Sequence, residues 1–82
     1  MLYVFALTKR EANEFAKRNK LQPKQFRYVV SDHYLDGVGS GNTWVALIGF
    51  WRRSDYTKLA ERIHILKICH GFDNVDKEYK LL

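Results

Sequence analysis

Three polar groups in this chain have residue types and spacing suited to chemistry. Asp32, His33 and Asp36 form the densest acid-histidine cluster and could supply a proton acceptor or a metal ligand. They stand without the partners that either task needs. There is no paired cysteine and no HExxH spacing, and the other two histidines, His64 and His70, are six residues apart and so do not share one helix face. A polar loop is the simpler reading of 32–36, and we expect no metal site, no cofactor and no catalysis. A small phosphodiester hydrolase would require the fold to gather Asp32 and His33 with Arg52 and Arg53. The glycine segment DGVGSGN (36–42) lacks the GxxxxGK[ST] spacing of a phosphate loop. Residues 32–51 contain no Lys or Arg, and a strand rather than a helix follows the glycines, so a plain connection is expected there.

The third group is TKR at 8–10 together with FWRRSD at 50–55. Each follows an apolar run and precedes a helical pattern, where free backbone N–H groups favour anions. Thr8, Lys9, Arg10, Arg52, Arg53 and Ser54 could together hold a phosphate, with Trp51 stacking on a base beside it. The competing reading has Trp51 closing the edge of the core and both arginines in water.

Charge adds a partner class to these candidates. Residues 9–27 carry Lys9, Arg10, Lys17, Arg18, Lys20, Lys24 and Arg27 against Glu11 and Glu14, which accounts for the whole formal charge of +5; the rest of the chain balances. A clustered positive field favours an anionic partner. Lys9, Arg10, Lys17, Lys20, Lys24 and the Arg52–Arg53 pair are the expected nucleic-acid contacts, with low sequence specificity because no helix-turn-helix, zinc finger or aromatic RNA-binding motif is present. The alternative is a protein-interaction module for an acidic host protein, anchored by Tyr34, Trp51, Arg53 and Tyr56. The oligomeric state is open.

The elements that must position these residues follow from hydropathy. Leu2 to Leu7 is apolar without alternation and reads as a strand buried on both faces. Thr8 and Glu11 form a capping box for a first helix, with Ala12, Phe15 and Ala16 on its inner face, which should end near Lys20 or Leu21 ahead of Pro23. Phe26 to Val30 reads as a short second strand, Asp32 to Leu35 as a single helical turn, and Thr43 to Phe50 as a third strand. A second helix capped by Ser54 or Asp55 runs to about Cys69, with Tyr56, Leu59, Ala60, Ile63 and Leu66 or Lys67 inward and Gly71 as a left-handed stop. A short fourth strand is expected around Phe72 to Val75, with a tail from about residue 76.

That order gives one α/β domain over residues 1–82, a small three-layer α/β/α unit with a mainly parallel sheet of order 2-1-3 or 2-1-3-4. An α+β ferredoxin-like arrangement, with strands 2 and 3 as an antiparallel hairpin, is the alternative. Cys69, the single cysteine, is expected as a buried thiol compatible with a reducing cytoplasm. No apolar run approaches the length that spans a bilayer, and the amino terminus lacks the features of a signal peptide, so a cytoplasmic protein is expected.

The segments YVFALTKREANEFAKRNKLQPKQFRYVV and TWVALIGFWRRSDYTKLAERI, roughly residues 3 to 70, resemble in their arrangement small accessory proteins encoded by bacteriophages and their hosts' mobile elements. The resemblance implies a truncated Rossmann-like or P-loop-like core without the nucleotide motif. It further implies a noncatalytic role in the host cytoplasm, through binding nucleic acid or modulating a host protein.

Overall fold

The computed structural model describes residues 1–81. Its four strands, β1 (Leu2–Phe5), β2 (Phe26–Tyr28), β3 (Thr43–Ala46) and β4 (Asp73–Asn74), form one parallel sheet in the order β2-β1-β3-β4. This is the sheet order expected from sequence. β1 is central because every one of its residues is apolar and buried, so it can be covered on both faces. Alternate residues then divide the core. Leu2, Val4 and Ala6 pack with Ala12 and Phe15 of α1 (Lys9–Arg18), whereas Tyr3 and Phe5 pack with Leu59, Ile63 and Leu66 of α2 (Tyr56–His70). The helices lie on opposite faces, as crossovers of one hand leaving β1 and β3 in opposite directions require. The link from β2 to β3 crosses on the α2 side, where the turn Asp32–Leu35 forms as expected and buries Leu35.

The regular elements are shorter than the apolar runs that encode them. β3 stops at Ala46 because Gly49, at φ 98° and ψ −8°, turns the chain, and the Phe50 N–H donates to the Leu47 carbonyl at 3.0 Å. That turn leads into a single 3-10 turn, Phe50–Arg52. α1 starts where expected, with the Thr8 hydroxyl accepting from the Glu11 N–H at 3.2 Å, but the return bond from the Thr8 N–H to the Glu11 carboxylate is not made, so half of the expected capping box forms. It ends at Arg18, two to three residues early, in a reverse turn: Leu21 N–H donates to the Ala16 carbonyl at 2.8 Å and Lys20 N–H to the Lys17 carbonyl at 3.2 Å. Lys20 takes the left-handed position at φ 57°. Gly71, at φ 65°, closes α2 in the way its position suggests.

Three sequence expectations about packing are corrected. Tyr56, expected on the inner side of α2, is exposed at the start of the helix. Cys69 is exposed, because α2 carries apolar side chains around its whole circumference and only Leu59, Ile63 and Leu66 are buried. Residues 76–81, expected as a tail, are packed on the domain: the turn Asp76–Glu78 sets Tyr79 against the Phe15 ring, and the Asn19 side chain bonds both the Lys80 carbonyl (3.2 Å) and the Lys80 N–H (3.1 Å).

Candidate functional site

The carboxyl edge of the sheet, where β1 and β3 lie side by side, is the switch point at which open α/β sheets form crevices. The sequence places both arginines there, and the structure separates them. Arg53 is buried to 8% side-chain exposure, with each guanidinium donor engaged. Nη1 donates to the carbonyls of Ala6 (3.2 Å) and Val29 (2.6 Å), Nη2 to Val30 (2.7 Å), and Nε and Nη2 take the two Asp55 oxygens at 2.9 Å each. The residue therefore bridges the ends of β1 and β2 and fills the place where an anion would sit. Arg52, its neighbour, is exposed. Asp55 stands at the cap position of α2 but makes no capping bond, since its carboxylate holds Arg53. Thr8 uses its hydroxyl on Glu11, and Ser54 is exposed at the same edge beside Arg52.

The basic segment is laid out along one layer. Lys9, Arg10, Lys17, Lys20 and Lys24 are all exposed, with Ala12, Phe15 and Ala16 turned inward beneath the helical part. Arg10 is paired with Glu14 at 3.2 Å. Among the described residues, Lys9, Lys17, Lys20, Lys24 and Arg27 make no ion pair. A ten-residue helix is about 15 Å long, so Lys9 and Arg10 sit at the carboxyl edge of the sheet and Lys20 and Lys24 near the amino edge. Arg52 joins the first pair and not the second. Arg27 is aligned with Tyr3, which faces α2, so its side chain leaves the sheet on the face away from α1.

The acid-histidine cluster is engaged in fastening the turn 32–35 to α2. Asp32 faces Lys58 (3.6 Å) and Arg62 (3.8 Å), and Asp36 bonds Arg62 at 2.9 Å with His33 at 3.6 Å. The hydrogen bond from Arg62 holds the Asp36 carboxyl below its ordinary range against the opposing effect of desolvation, with lesser help from the Arg62 charge and His33. No group of three or more potential metal ligands gathers among the described residues.

Sequence reasoning missed a cleft of about 460 Å³ between α2, the end of β3 and the turn Phe50–Arg52. Trp44, Phe50, Trp51 and Tyr56 line it, with His64 and Lys67 on the helix wall and Asp76 at its far side. Beyond the cleft, exposed apolar side chains continue as an interrupted strip, from Ile48, Trp51 and Tyr56 to Ile65 and Ile68 on the outer surface of α2, with Thr57, Glu61 and His64 among them. The only signal in the sequence was that α2 is apolar all round, which a helix covered on one side alone does not need. Among the described residues no helix is long and apolar enough to cross a membrane.

No family model matches the chain, and neither the curated proteins nor the solved structures contain a significant match to it.

Proposed function

We propose that this protein is a noncatalytic nucleic-acid-binding module of low sequence specificity that works through the exposed cations of residues 9–24. One contrast carries the reading. In the charge-balanced remainder of the chain Arg53, Lys58 and Arg62 pair with carboxylates and Arg52, Lys67, Lys77 and Lys80 do not, whereas among the described residues Arg10 is the one cation of residues 9–27 in an ion pair, so that Lys9, Lys17, Lys20 and Lys24 lie clustered in solvent without an acidic partner. Unpaired, exposed cations can neutralise phosphates at little structural cost, and the condensed counterions they release drive binding. The layer bearing them has no internal carboxylate network to compete with a ligand beyond Glu14 on Arg10.

The test is a salt titration against duplex and single-stranded oligonucleotides, starting near 20 mM salt. Four phosphate contacts give a slope of log affinity against log salt of about −3.6 on duplex. Changing Lys17 and Lys20 together to Ala should flatten it by about 1.8. Binding indifferent to salt and to those changes would remove the proposal.

The interrupted apolar strip favours a second reading, a protein-interaction module, because exposed large apolar side chains grouped on one side of a domain commonly mark contact surfaces. An acidic protein partner retained after nuclease treatment and lost on Ile68→Glu would support it.

A further inference from the structure

Resting on the nucleic-acid reading, we infer that the cleft beside Trp51 receives an unstacked nucleobase, so that single-stranded nucleic acid is the preferred ligand. Trp51 is 59% exposed even though it directly follows the buried Phe50, and the Gly49 turn fixes where it projects. The chain's other tryptophan shows the contrast. Trp44 is partly buried and its indole N–H donates to the Phe72 carbonyl at 3.2 Å, while the Trp51 indole has no hydrogen-bond partner among the described residues. A large aromatic held on a short rigid turn, without an internal role, is a stacking platform.

The cleft's chemistry selects the base over the phosphate. Its floor is aromatic and aliphatic, and the one carboxylate on its wall among the described residues, Asp76, repels an anion; its Oδ1 accepts from the Ala46 N–H at 3.0 Å, which leaves Oδ2 to accept from a base amine. Lys67 and His64 lie on the helix wall, and Arg52 follows Trp51 in the chain and lines the neighbouring crevice with Arg53 and Ser54. A volume of about 460 Å³ admits a nucleoside, and small-ligand sites span roughly 300–1,000 Å³. Trp51 and Arg52 follow β3 at the sheet edge where Lys9 and Arg10 follow β1, so one strand can lay its backbone along that edge and turn a base into the cleft. A duplex cannot do this, because its base faces are stacked on one another.

Fluorescence anisotropy with a labelled 15-mer, single-stranded and as duplex, tests the inference on the wild type, Trp51→Ala and Trp51→Phe, each checked for native circular dichroism. The wild type should bind the single strand more tightly. Trp51→Ala should lose about tenfold on the single strand and little on duplex, and Trp51→Phe should keep most of the affinity. Single-strand binding should also quench the wild-type tryptophan emission, and that quenching should fall sharply in Trp51→Phe, where only Trp44, partly buried in the cleft wall, remains. Equal affinity for both forms, or single-strand binding unchanged in Trp51→Ala, would overturn the base site while leaving the cationic face in place. Absence of binding to either form would overturn both.

Discussion

At the scale of the residue, Arg52 and Arg53 shape the carboxyl edge of the sheet. Adjacent, chemically identical and equally eligible as phosphate ligands, they end up in opposite roles, one in solvent and one tying together carbonyls of Ala6, Val29 and Val30 with Asp55. The clue was Asp55, two residues on, but a carboxylate just before a helix reads equally well as a cap, and nothing local decides between the two. Replacing Arg53 by Ala leaves three carbonyls and a carboxylate short of partners, and should cost on the order of 3 kcal/mol in urea denaturation. Lys at this position should recover little of the loss, because an ammonium cannot reproduce the planar fork that meets both Asp55 oxygens. Full stability in Arg53→Ala would mean that the edge of the sheet is held by its ladder alone. Asp32, His33 and Asp36 illustrate the same point from the other side, since the arginine that occupies two of them comes from thirty residues away in α2.

At the scale of the element, α1 was legible and α2 was only half so. Ala12, Phe15 and Ala16 recur at one helical face with charges opposite, and the structure buries those three residues. In α2 the period is blurred, which is why Cys69 was expected inside and the outward Ile65 and Ile68 carried no message. Element ends were the least readable, because they depend on single backbone geometries such as φ 98° at Gly49 and φ 57° at Lys20. Lys20 holds a position that glycine fills at less conformational cost, and it presents its charge just past the helix end. Lys20→Gly should therefore raise stability by about 1 kcal/mol while weakening binding and reducing the duplex salt slope by about 0.9. Thermal denaturation and the titration read the two effects separately. A variant that gains no stability would show that Lys20 compensates its strain through the helix dipole.

At the scale of the molecule, the sheet order 2-1-3-4 could be derived because it needs little information: one strand apolar on both faces, short elements, and the rule for crossover hand. The cleft could not, since Trp51, His64 and Asp76 come from three separated segments and meet only after folding. Folding also sorts charge and apolar surface into different layers, with the clustered lysines of residues 9–24 over the α1 side and the exposed apolar side chains beside Lys67 on the α2 side, joined at the carboxyl edge by Arg52 and Trp51. The central claim is that nucleic acid engages the first layer and that edge. Backbone and indole resonances followed by two-dimensional ¹H–¹⁵N NMR during titration with a single-stranded oligonucleotide at low salt test it directly. The account predicts shifts concentrated on residues 9–24 and on Arg52 and the Trp51 indole, fading as salt is raised. A spectrum unmoved by the oligonucleotide, or shifts confined to Ile65 and Ile68 on the outer face of α2, would contradict it.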